Sequence, residues 1–144
     1  MSTSRSKVIQ FAENRSISLD GWGDTGFITR EGSTFVHIGF STLANGEEMI
    51  SFFSPVVRGM RIDEKLMKDL LTINAQLNFG AFALEDDVVL LKYNILGVVH
   101  IDEDEFFNAL AMVVVVSDEY DDKIIASHGG TTAYDFILEL SAQK

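Results

Sequence analysis

Residues 63–125 read DEKLMKDLLTINAQLNFGAFALEDDVVLLKYNILGVVHIDEDEFFNALAMVVVVSDEYDDKII, and this stretch decides the fold. Its entry, Ile62-Asp63-Glu64-Lys65-Leu66-Met67, places a capping acid between apolar residues that can close over a first helical turn, and leucines follow at 66, 70, 71 and 77. A helix is predicted there. Phe79 to Leu84 and Val88 to Tyr93 are short β-prone runs on either side of Glu85-Asp86-Asp87, a pattern that predicts a hairpin. Next, Ile101-Asp102-Glu103-Asp104-Glu105-Phe106 supplies an Asp cap with a Glu three residues on, and acids that suit the positive end of a helix.

Ala109 to Val116 is rich in β-branched residues and fits a buried strand as well as a helix. The cap, the Phe106-Phe107 pair and the distance to Gly129-Gly130 favour the helix. A helix apolar around its circumference cannot be covered by one sheet, so Phe107, Val114 and Val115 need a second cover. That cover is the chain's own C-terminal helix or a second subunit; we expect the subunit, and hence a homodimer.

Before Asp63 the pattern is a three-stranded meander. Thr25 to Arg30 pairs with Ser33 to Leu43 through Glu31-Gly32, and Asn45-Gly46 joins that strand to Glu48 through Val57. Alternation sets Val36, Ile38 and Phe40 against Phe35 and His37, and Ile50, Phe52 and Val56 against Met49 and Phe53. Both faces thus carry aromatics, and Phe35, His37 and Phe53 are candidates for a partner interface. Pro55 lacks a ladder donor, so the third strand is expected to be an edge near its end, or bulged there. Residues 1–20 form a weakly patterned arm or short helix, and residues 21–144 a single α+β domain. Thr131-Thr132 caps a last helix, Ala133 to Ala142, with Tyr134, Ile137, Leu138 and Phe136 on its apolar side. The expected fold class is therefore α+β: an antiparallel sheet of meander, helix, hairpin and helix, packed against helices.

The chain of 144 residues is long enough for a self-sufficient core, and 47% of it is hydrophobic. A net charge of −11 repels phosphate backbones and anionic lipid, so neither nucleic acid nor membrane is an expected partner. The lack of cysteine excludes disulfides and thiolate chemistry and fits a reducing compartment. Residues 1–13 are too polar for a signal-peptide core, and a cytoplasmic location is expected.

Gly21-Trp22-Gly23-Asp24-Thr25-Gly26 fits G-x-G-x-x-G, yet it opens a strand, where the dinucleotide version must follow a strand and open a helix. It is an entry loop. Glu85-Asp86-Asp87, Asp102 to Glu105 and Asp118 to Asp122 lack the glycine that a calcium loop needs at its turn, and they are assigned to a turn, a cap and a solvated helix face. His37, His100 and His128 have no neighbour at metal-ligand spacing and are assigned structural roles. Ser127-His128 lacks a nucleophile-elbow context. Trp22, the lone tryptophan, is an anchor for a partner if exposed and a lid on the core if buried, and the lid is expected. No catalytic, cofactor-binding or metal residue is assigned, and no cofactor is expected.

Leu71-Thr72-Ile73-Asn74-Ala75-Gln76-Leu77-Asn78-Phe79-Gly80-Ala81-Phe82-Ala83-Leu84, running into Asp86-Asp87-Val88-Val89-Leu90-Leu91-Lys92-Tyr93, resembles the YbjN-like family, whose domains are similar in fold to class I type III secretion chaperones. The resemblance covers about Thr25 to Ile125 and carries no catalytic signature. It implies a small acidic α+β domain, often dimeric, that binds other polypeptides or acts as a regulatory module. A non-enzymatic, chaperone-like protein-binding domain is therefore expected. The alternative is a small-ligand-binding or enzymatic domain with a carboxylate-lined cleft between sheet and helix.

Overall fold

The structure, a computed structural model, describes residues 3–96 and 100–135. The chain runs α1 (Thr3–Asn14), β1 (Asp20–Trp22), β2 (Gly26–Glu31), β3 (Thr34–Thr42), β4 (Glu48–Arg58), α2 (Glu64–Gln76), β5 (Ala81–Glu85), β6 (Val88–Leu96), α3 (Glu103–His128) and β7 (Thr131–Thr132). The strands form one antiparallel sheet in the order β1-β2-β3-β4-β6-β5, with β7 paired to the end of β4. The expected order of meander, helix, hairpin and helix is present. Added to it are α1, the short edge strand β1 and the clasp β7.

Local chemistry starts α2 and α3 and closes the hairpin turns. Asp63 accepts from the Leu66 amide at 2.9 Å and Asp102 from the Glu105 amide at 2.8 Å, so each capping acid satisfies an otherwise unpaired N–H. The β3–β4 turn closes with Gly46 N–H donating to Leu43 at 2.9 Å; Gly46 sits at φ 87, a conformation that costs a residue with a Cβ dearly. In the β5–β6 turn Asp86 takes the left-handed region at φ 53, which Asp tolerates better than most residues.

All three helices lie on one face of the sheet. The core there joins Val36 and Ile38 of β3, Ile50 and Phe52 of β4 and Leu91 of β6 to Val8 of α1, Leu66 of α2 and Phe106 of α3. Phe106 is its centre, with ring centroids 5.5 Å from Phe52 and 6.0 Å from Phe11. Residues 109–116 are helical, with Ala109, Leu110, Val113 and Ser117 on the buried stripe. Val115, on the opposite side, is 53% exposed.

Of the two alternatives for Pro55 the irregularity is present, while the end of β4 is no edge, since β6 and β7 both pair with Val57 and Arg58. The β4–β6 register shifts between Pro55 and Val57, which is a bulge, and the β3–β4 ladder has already ended at His37–Phe53. Pro55 therefore sits where no ladder asks for its N–H. β7 then pairs with Val57 and Arg58. The chain is helical again at 133–135. The remainder of the expected C-terminal helix, with Phe136, Ile137 and Leu138, lies outside the described residues.

Candidate functional site

The sheet face turned away from the helices is not bare. Register puts Ile28, His37, Phe53 and Lys92 in one row across β2, β3, β4 and β6, with Pro55 and Leu90 in the next. His37 and Phe53 stack with centroids 4.5 Å apart and planes 6° from parallel. Trp22 stands edge-on to both, at 4.6 Å from His37 and 5.4 Å from Phe53. The indole can lie so close because Gly26, its partner in register, has no side chain: a Cβ there would come within 3.1 Å of the indole. This corrects the expected place of Trp22. It covers the outer aromatic cluster and not the core, and it is 40% exposed. The entry-loop assignment of the glycine motif stands, since Gly21-Trp22 ends a strand and Gly26 begins the next.

Next to the indole a groove of about 480 Å³ runs along β4 and β6. Phe53, Pro55, Val88 and Leu90 make its apolar floor, Trp22 stands at its aromatic side, and Glu85-Asp86-Asp87 with Arg58 close one end. Arg58 pairs with Asp87 at 3.4 Å, while Lys92 lines the groove further along β6. Phe35, beyond His37 on β3, is covered by the Tyr134 ring at 6.1 Å, and Arg30 lies 5.0 Å from that ring. Desolvation holds the His37 imidazole below its ordinary pKa, and its Nδ1 is buried with no hydrogen-bond partner among the described residues.

Phe35, His37 and Phe53 are thus brought together on one surface. Phe107, Val114 and Val115 lie on another, across the sheet, where with Ile17, Glu31, Leu110 and Ala111 they bound an apolar depression of about 220 Å³. Part of the cover that α3 requires comes from a source other than the two expected. Arg15, just after α1, lies 4.1 Å over the Phe107 ring and pairs with Glu103 at 3.1 Å and Asp104 at 2.8 Å. Hydrogen bonds from Asn14 and Arg15 hold the Glu103 carboxyl below its usual pKa. A further apolar stripe, Met67 and Leu71, is exposed on α2.

The two ends of the sheet differ. At β5, Asn74 of α2 accepts from the Phe82 amide at 2.7 Å and donates to the Phe82 carbonyl at 3.0 Å, so a side-chain amide stands where a further strand would pair. At the other end β1 is exposed along its length.

Between the sheet and α3, Ser54, Ser117 and Asp121 border a space of about 20 Å³, room for a single water and not for a substrate. Desolvation raises the Asp121 pKa, a hydrogen bond donated by the Asp122 amide opposes the rise, and the nearby charges of Asp122, Asp118 and Asp135 add to it. His128 is buried and bonds Asp69 at 2.6 Å, tying the end of α3 to α2. Among the described residues no group of three ligating side chains could hold a metal ion, and no helix is long and apolar enough to cross a membrane.

This architecture, helices packed on one side of an antiparallel sheet, is a fold shared with type III secretion chaperones. The family described as T3SS (YopN, CesT) and YbjN peptide-binding chaperone 1, TY-Chap1, matches residues 10–136, and the chain belongs to it. No curated protein matches the chain. Among solved structures, the ExsC–ExsE complex is similar with a TM-score of 0.64 at 17% identity, over 85% of this chain and 96% of that one. The Yersinia pestis type III secretion chaperone SycH, in complex with a stable fragment of YscM2, gives 0.59 at 15% identity, over 81% and 98%. YbjN from E. coli gives 0.57 at 13% identity, over 83% and 92%. At these identities the likeness defines the fold alone.

Lys92 and Leu90 are not marked by the sequence as site residues, and Pro55 and Tyr134 are marked only for their places in a strand and a helix. The alternation Val88, Leu90, Lys92 was visible, but its face depends on the β4–β6 pairing, which crosses α2 and leaves no local trace.

Proposed function

We propose that the chain is a non-enzymatic, chaperone-like module that holds a segment of another polypeptide on the outer face of its sheet. It acts in the cytoplasm as a homodimer joined through the exposed flank of α3 at Phe107, Val114 and Val115. The observation that carries the binding role is the Trp22–His37–Phe53 cluster opening onto an apolar-floored groove on the face opposite the core. Aromatic rings placed there add nothing to the main core, whereas rigid aromatic anchors beside a groove are the usual means of gripping a peptide. Membership of a family of peptide-binding chaperones supports the same reading, as does the fold shared with the ExsC–ExsE and SycH–YscM2 complexes.

The test is affinity capture from the native cell with mass spectrometry, wild type beside Phe53→Asp. The reading expects one or more polypeptides retained by the wild type and lost by the variant, with circular dichroism unchanged. Equal retention by both would remove the outer face as the binding surface.

A further inference from the structure

The groove is polarised along its length. At one end Glu85 and Asp86 are exposed and make no ion pair among the described residues, while Asp87 is tied to Arg58 at 3.4 Å. At the other end Lys92 is exposed and likewise unpaired among the described residues, beside Phe53 and Trp22. Between them lie only Val88, Leu90 and Pro55. Val88 pairs with Glu85 and Lys92 with Ala81, so the charged ends are four residues apart along β6. At roughly 3.3 Å per residue that is about 13 Å, the reach of four or five extended residues.

Resting on the reading above, we infer that the groove selects a partner segment of two or three apolar residues flanked by a Lys or Arg at the acidic turn and an Asp or Glu at Lys92. The apolar middle seats on Pro55 and Leu90 next to the indole. The flanking charges meet groups that make no ion pair among the described residues, and they fix the register and direction of the segment more than they add to its affinity. A segment with acids at both ends meets Glu85 and Asp86 as like charges. One with bases at both ends meets Lys92.

Three peptides with Gly-Ser flanks, containing KLFLE, ELFLE or KLFLK, test this on the full chain. Binding is followed by the emission of Trp22, the one tryptophan in the chain, and by calorimetry. KLFLE is expected to bind tightest, with each mismatched end weakening the Kd about two- to fivefold, as for exposed ion pairs. Lys92→Glu, at an exposed position, should transfer the preference to KLFLK. Equal affinity for all three peptides, or a preference that Lys92→Glu leaves unmoved, overturns the charge selection and leaves the groove a peptide site. Calorimetric binding that neither alters Trp22 emission nor weakens in Phe53→Asp overturns it by placing the peptides elsewhere. No binding of any peptide at millimolar concentration overturns it together with the peptide-site reading.

Discussion

Asn74 shows how one side chain manages a sheet edge. Its amide takes both polar groups of Phe82, so Asn74→Ala leaves a part-buried N–H and C=O unpaired, at a cost of about 1–3 kcal/mol. Urea unfolding should show that loss, and hydrogen exchange should speed up at the Phe82 amide. His37 makes a second prediction. Desolvation depresses its pKa in the folded state, so on acidification the unfolded chain takes up the proton first. Stability should therefore fall as the pH drops below the ordinary histidine value of about 6.5, and level off once the pH is below the folded value. His37→Gln should flatten that part of the curve; a curve of unchanged shape would show that the ring titrates as it does in water. Neither role could be read from the sequence. Asn74 and Phe82 are eight residues apart on different elements, and His37 is identified only by what covers it.

At the scale of elements, what was legible followed from local rules. Acid caps at Asp63 and Asp102 announce two helices, and the turn and alternation pattern announces the meander, with the correct faces for β3 and β4. The helix α1 was left open because nothing local starts it: its first turn holds no acid and its apolar residues are sparse. Tertiary burial of Val8 and the Phe11 contact with Phe106 hold it. Phe106→Ala should cost about 3–5 kcal/mol and release α1 with it, seen as lost amide protection over residues 8–12 in native-state exchange. If protection of α1 is unchanged, Phe106 is not its anchor. The strand β1 was missed for the opposite reason, since three residues centred on a glycine carry too little pattern to register.

For the molecule as a whole, α3 carries more apolar surface than the sheet can cover, and the N-terminal arm covers only part of what remains. Val115→Asp would bury a charge in the proposed subunit contact, at several kcal/mol on each side, ample to split a dimer of ordinary affinity. Sedimentation should find a dimeric wild type, a monomeric Val115→Asp and a dimeric Leu71→Asp. A wild type that is monomeric at high micromolar concentration rules the dimer out, and dissociation by Leu71→Asp alone moves the contact to α2. The binding role is tested most directly by photo-crosslinking in the native cell. A photoactivatable phenylalanine analogue replaces Phe53, on the groove floor, or Phe79, which contacts Tyr93 on the helix side of the sheet. The account predicts a partner polypeptide crosslinked from position 53 and none from position 79; crosslinks from 79 alone would contradict it.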